Sequence, residues 1–120
     1  MAELSDGKIL SYGTMGGEGQ PQTQALVYTR HVLFGQPIQQ AITAPRFLLG
    51  RTWGDTGTNL KLESRFDTGL VSALDAAGHD VETIAPYSDL MGHAGAVSLR
   101  ADGVMEGGSD PRADGKAAAV

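Results

Sequence analysis

Cysteine is absent from the 120 residues, which excludes disulfides, thiolate metal ligands and a cysteine nucleophile. Aromatic residues are scarce, with three Phe, three Tyr and one Trp, so a core must be built from Leu, Val, Ile and Ala. No apolar run approaches the length of a membrane span, and residues 1–30 lack the basic-then-apolar order of an export signal. Basic clusters are missing too. Nine Lys and Arg stand singly against 14 Asp and Glu, a formal charge of -5, which argues against a nucleic-acid or anionic-membrane partner. With 41% apolar residues, the chain reads as soluble, and as one domain or part of one.

Glycine is what the sequence has in excess: 17 residues, about twice average usage. Gly13, Gly16, Gly17 and Gly19 crowd one segment, Gly50, Gly54 and Gly57 another, and Gly92, Gly95, Gly103, Gly107 and Gly108 punctuate the end. No fixed period relates them, so collagen and solenoid architectures are excluded. Clustered glycine between apolar runs means tight turns, or backbone brought close to something.

Residues 7–13 read as a short strand, and Met1-Ala2-Glu3-Leu4 has strand character of its own. A helix is expected over 22–34, closed by Gly35 and covered on much of its circumference. A second helix is expected over 37–43, opened by Pro37 and stopped by Pro45. Residues 48–58 read as an irregular loop. Leu60-Lys61-Leu62-Glu63 alternates like a half-buried strand. Asp67 can cap a helix over 68–77 that ends at Gly78, with Leu70, Val71 and Leu74 on one face. Residues 81–84 read as a strand. A hairpin pairing 94–100 with 103–106 around Ala101-Asp102 follows, and residues 107–120 read as an extended tail. The alternation is only partial, so a layered α+β or mixed α/β domain fits better than a doubly wound sheet.

The glycine loop at 13–19 is the most informative local feature. A strand delivers the chain into Gly-Thr-Met-Gly-Gly-Glu-Gly and a helix starts a few residues later. Backbone N–H groups at such a turn can converge on an anion or oxyanion, reinforced by the helix N-terminus. No Gly-Lys-Ser/Thr follows, which excludes a phosphate loop, and Gln22 stands where a dinucleotide fingerprint needs its third glycine. A plain tight turn is the competing reading. His31, His79 and His93 have no metal-like spacing, and neither His79 nor His93 has a Ser or Cys partner in a recognisable motif; structural roles are favoured for them. Asp110 and Arg112 are expected to pin the C-terminal segment to the body rather than to bind substrate. Glu63 and Glu106 have no evident carboxylate mate for glycosidase chemistry.

Taken in order, Gly13-Thr14-Met15-Gly16-Gly17, a long helix, Gln40-Ala41-Ile42-Thr43-Ala44-Pro45-Arg46-Phe47, Leu62-Glu63-Ser64-Arg65-Phe66, Ala77-Gly78-His79-Asp80-Val81, Met91-Gly92-His93-Ala94-Gly95 and Gly107-Gly108-Ser109-Asp110-Pro111-Arg112-Ala113-Asp114-Gly115 resemble the small subunit of γ-glutamyltranspeptidases along essentially the whole chain. The resemblance implies part of an αββα-sandwich N-terminal-nucleophile hydrolase, an α+β fold made by autocleavage of a precursor. In that family an N-terminal Thr attacks a γ-glutamyl amide, and the acyl group passes to water or an amine. Gly16 and Gly17 match the paired glycines whose N–H groups form the oxyanion hole. The family's Ser-Pro before them is replaced by Thr14-Met15, and the stretch at 19–24 marks a divergent branch, close also to β-lactam side-chain acylases.

The nucleophile motif of the family lies upstream of the matched region. Removing Met1 would expose Ala2, which has no hydroxyl, and Thr14, Thr23 and Thr29 are internal. The resemblance therefore implies a C-terminal portion of the small subunit, inactive alone, whose partners are the large subunit and the missing part of the small one. The substrate class would be γ-glutamyl compounds. No metal or organic cofactor is called for, and family members are often periplasmic or extracellular through signals lying upstream. Competing expectations are a non-catalytic remnant that closes its sheet edges by self-association, and a small-ligand module using the glycine loop for carboxylates.

Overall fold

The computed structural model describes residues 1–52, 54 and 56–118. Four strands, β1 (Ala2–Glu3), β2 (Ile9–Met15), β6 (His93–Leu99) and β7 (Met105–Ser109), form an antiparallel sheet in the order β1-β2-β6-β7. A second sheet joins β3 (Phe47–Leu49), β4 (Leu60–Glu63) and β5 (Val81–Ile84). Here β3 is antiparallel to β4, and β4 is parallel to β5 across the crossover helix α3 (Thr68–Ala76). Helices α1 (Gln20–Tyr28) and α2 (Ile38–Thr43) pack on one face of the larger sheet.

The core lies between that sheet and those helices. Leu10, Ala94 and Ala96 from the strands meet Val27, Ile38 and Ile42 from the helices, with Tyr12, Tyr28 and Val32 packed around them. Strand β6 alternates strictly, its even-numbered residues buried and its odd-numbered ones turned outward. The outer face carries Ile9, Met15, Val97 and Leu99, each more than a third exposed. Such a row on a sheet face is a surface built for another layer. No helix among the described residues is long and apolar enough to cross a membrane.

Several elements differ from expectation. Helix α1 begins at Gln20 because Pro21 suits a first turn, and it continues as a π-helical turn over Thr29–Leu33. Its burial is one-sided, through Thr23 and Val27, while Leu33 and Phe34 are exposed. Within the expected loop, Leu48 is drawn into the core and Phe47–Leu49 pairs with β4 as β3. All four residues of β4 are buried rather than alternate ones. Asp67 caps α3 as expected, accepting from the Gly69 and Leu70 amides at 2.9 and 3.2 Å. No residue of α3 is fully buried.

The hairpin turn spans Arg100 to Val104, with the Arg100 amide donating to the Val104 carbonyl and Gly103 in the left-handed region (φ 84°). Residues 107–109, expected to open the extended tail, therefore belong to β7. The reason is a close approach: α2 crosses over Gly108, where a Cβ would stand 2.8 Å from Ile42 Cδ1 and 3.3 Å from Gln39 Cα. Gln39 then grips the strand next door, its Oε1 accepting from the Ser109 amide and its Nε2 donating to the Ser109 carbonyl. Beyond Ser109 the chain turns rather than extends, burying Asp110 and Arg112.

Candidate functional site

Strand β2 ends at Met15, and the chain reaches α1 through Gly16 and a short 3-10 turn, Gly17–Gly19. Gly16 has φ 143° and Gly17 φ 53°, a sequence of angles that side-chain-bearing residues rarely adopt. The local cause is the neighbour beneath. Gly92 presses against this corner: a Cβ on Gly16 would lie 3.2 Å from Gly92 Cα, and a Cβ on Gly92 would run into the Met15 carbonyl. Two backbones thus meet at contact distance, both glycine at the point of contact.

Hydrogen bonding at this corner is lopsided. The Gly16 carbonyl accepts from the Gly19 amide at 2.9 Å and from Thr52 Oγ1 at 2.7 Å. The Met15 carbonyl accepts from Thr14 Oγ1 at 2.7 Å. Among the described residues, however, no turn, cap or side-chain hydrogen bond is donated by the N–H of Gly16 or of Gly17. Adjacent amide donors left without acceptors at the entry to a helix are the chemistry of an anion or oxyanion receptor. Gly17 is exposed and Gly16 buried.

A second cluster lies at the C-terminal end of α2. Pro45 stops α2, and its last carbonyls lose their in-helix partners. Arginines take four consecutive ones. Arg46 Nη2 donates to the Ile42 carbonyl at 3.0 Å, Arg65 Nη1 to Thr43 at 2.8 Å, Arg112 Nη2 to Ala44 at 3.1 Å and Arg30 Nη2 to Pro45 at 2.6 Å. Cations are favoured there by the helix dipole as well. Two buried carboxylates knit the guanidiniums together. Asp110 sits 2.7 Å from Arg46 and 3.0 Å from Arg112, and Glu63 accepts from Arg112 Nε at 2.8 Å and Nη2 at 2.5 Å. Tyr87, itself at φ 54°, stacks over Arg65 with 3.9 Å from guanidinium carbon to ring centre.

The expected pinning contacts of Asp110 and Arg112 are therefore present. Asp110 also accepts the Ala94 amide at 2.6 Å and the Arg112 amide at 3.0 Å. Burial alone would push its carboxyl up, but those two amides with Arg46 and Arg112 hold it below the usual 3.8. Burial also pulls Arg46 down, more than Asp110 offsets. For Arg112 the opposite holds: burial lowers it, yet bonding to Glu63 and Asp110 carries it above its ordinary value.

The two clusters touch through Arg46. Its Nη1 donates to the Met91 and Gly92 carbonyls at 3.1 and 3.0 Å, and Thr23 Oγ1 donates to Met91 at 3.0 Å. The segment under Gly16 is thereby fixed from below. The histidines are not brought together: His31 pairs through Nδ1 with the Gln36 carbonyl at 2.8 Å, His79 is exposed past α3, and His93 opens β6 opposite Met15. No cluster of metal-ligating side chains exists among the described residues. Glu63 finds arginine as its partner, and Glu106 lies exposed on β7. Sequence reasoning missed Thr52 and the convergence of Arg30, Arg46 and Arg65. Pro45 ending a helix just before Arg46 was a signal for the second; none pointed to Thr52.

Comparison with known proteins places these features in a context. A family model described as gamma-glutamyltranspeptidase matches residues 1–120. The chain is 52% identical over 117 residues to the oxamate amidohydrolase proenzyme of Klebsiella pneumoniae, covering 98% of this chain and 22% of that protein. It is 47% identical over 113 residues to the glutathione hydrolase-like YwrD proenzyme of Bacillus subtilis, covering 94% of this chain and 21% of that protein. Among solved structures, cephalosporin acylase from Bacillus halodurans superposes with a TM-score of 0.76 at 30% identity, covering 88% of this chain and 19% of that one. The chain thus spans about a fifth of the length of each of these relatives.

Proposed function

The chain belongs to the gamma-glutamyltranspeptidase family, and from that premise we propose that it forms the part of an amidase that receives the oxyanion. Its α+β fold is part of the N-terminal-nucleophile hydrolase architecture, the larger of its two sheets carrying α1 and α2 on a single face. The observation that carries the proposal is the pair of amides at Gly16 and Gly17, which donate no turn, cap or side-chain hydrogen bond among the described residues and stand at the entry to α1. As a nucleophile adds to an amide carbonyl, the oxygen gains charge, and preorganised donors at 2.7–3.1 Å lower the barrier more than they tighten substrate binding.

The nucleophile in this reading is a threonine supplied by residues outside these 120, freed by cleavage of a precursor. Its hydroxyl attacks the amide carbonyl and loses its proton to the adjacent amine. The leaving amine departs with that proton, and water or a second amine takes the acyl group. The rest of the small subunit and a large subunit are the partners, and the exposed outer face of the larger sheet supports their presence. γ-Glutamyl compounds are the substrate class on family grounds. Because a relative at 52% identity is named for oxamate, a short amide whose carbonyl adjoins a carboxylate is the second reading.

The test uses the complete enzyme with γ-glutamyl-p-nitroanilide and oxamate as alternative donors. Release of nitroaniline or ammonia that is lost in a Gly17→Val variant supports the proposal. Turnover unchanged by that substitution rejects it, and the preferred donor separates the two substrate readings.

A further inference from the structure

We propose that Thr14 and Thr52 are positioning residues that aim the Gly16 and Gly17 N–H groups; the inference rests on the oxyanion reading of this loop. A trans peptide is planar, with its C=O and N–H pointing in opposite directions, and no cis bond occurs among the described residues. The N–H of Gly17 therefore shares a plane with the carbonyl of Gly16, and the N–H of Gly16 shares one with the carbonyl of Met15. Whatever grips those two carbonyls sets where the two amides point.

Each carbonyl is gripped by a threonine hydroxyl. Thr52 Oγ1 donates to Gly16 O at 2.7 Å, and Thr14 Oγ1 donates to Met15 O at 2.7 Å. Both distances are those of well-formed O–H···O bonds. Thr52 is 1% exposed, so water does not stand in for its hydroxyl if that group is removed. It reaches the loop from 36 residues away. Glycine is the residue least able to hold its own torsions. A receptor made of two glycines therefore needs outside help to stay aimed, and the carbonyl side of each peptide is where help reaches it without blocking the donor side. The Gly16 plane also receives the Gly19 amide, while the Met15 plane has Thr14, the β2–β6 pairing of Met15 with His93 and the pressure of Gly92.

The experiment compares Thr52→Val, Thr52→Ser, Thr14→Val and Thr14→Ser in the complete enzyme, measuring kcat, KM and melting temperature with the donor that it turns over. Valine keeps the volume and removes the donor; serine keeps the donor. Expected is a fall in kcat of about tenfold or more for Thr52→Val, with KM changed less than about twofold, because a misaimed donor forfeits part of the 10²- to 10³-fold that such a donor supplies. Thr52→Ser retains kcat within about threefold, and Thr14→Val shows a smaller loss that Thr14→Ser restores. Thr52→Val at full kcat, or Thr52→Ser failing as badly as Thr52→Val, overturns the proposal. Gly17→Val run alongside separates the two claims. If it abolishes turnover while Thr52→Val keeps the wild-type kcat, positioning alone is wrong; if it leaves turnover intact, the oxyanion reading falls and this inference with it.

Discussion

Two corners of this molecule handle unpaired backbone groups in opposite ways. At residues 14–19 the backbone supplies donors, and among the described residues no turn, cap or side-chain acceptor takes the N–H of Gly16 or Gly17. At residues 42–45 it supplies acceptors, and four arginines crowd in to satisfy them. The second corner leaves donors over, since Arg46 Nε and Arg30 Nη1 are buried without a partner. Leaving buried acceptors bare would cost about 1–3 kcal/mol each, and the fold does not leave them bare. At the glycine corner Gly17 lies at the surface, where a bare donor is tolerated, and the buried Gly16 donor is the one that awaits an acceptor. The difference teaches where to look for function: at the structural corner every backbone group of the turn is met from within the chain, and at the receptive one the backbone is kept waiting.

The sharpest way to break this contrast is at the arginine corner. Asp110→Ala leaves Arg46 and Arg112 buried beside a missing charge, and loss of one partner from a buried pair costs about 3–5 kcal/mol. Thermal and chemical unfolding of the complete enzyme should register it, with kcat much less affected. A large kcat loss at unchanged melting temperature would reassign Asp110 to the chemistry.

Gly17→Val comes next, with kcat down by about 10²- to 10³-fold and KM nearly unchanged. Equal losses in kcat and in binding would count against an oxyanion role. Gly92→Ala joins the two corners: its Cβ meets the Met15 carbonyl and lies 2.8 Å from Thr14 Oγ1, and φ is 73° there. Overpacking of this kind costs about 1–3 kcal/mol, and turnover should fall together with stability. Wild-type values in both assays would show that the corner yields.

Acidification separates the corners further. The Asp110 carboxyl is held below 3.8, so its contribution is present in full above that value and is lost as pH falls through the lower folded value. Stability of the native enzyme should therefore drop steeply below pH 3.8, with a shallower slope in Asp110→Asn. Identical slopes would mean that Asp110 does not lead acid unfolding. The smallest effect is expected at Asp67→Ala, about 1 kcal/mol from the lost cap of α3, with no change in turnover. A kinetic effect there would mean that α3 reaches the site.

What was legible in the sequence acts over a few residues. Pro37 and Pro45 bracket α2, Asp67 caps α3, and Gly16-Gly17 marks the turn between β2 and α1. What was not legible depends on partners far along the chain. Lys61 and Glu63 alternate with leucines and read as solvent-facing, yet both are buried, Glu63 because Arg112 arrives 49 residues later. Residues 107–109, Gly-Gly-Ser, have little strand propensity and pair because α2 needs a residue without a Cβ beneath it. Thr52 sits in a stretch that looks like filler, and only its contact with Gly16 reveals it.

The most direct measurement is a crystal structure of the complete enzyme trapped with a tetrahedral adduct on its nucleophile. The account predicts the adduct oxygen at 2.7–3.1 Å from the nitrogens of both Gly16 and Gly17, with Thr14 and Thr52 still holding the carbonyls behind them. An oxygen held by other donors, with both glycine amides turned away from it, would contradict the account.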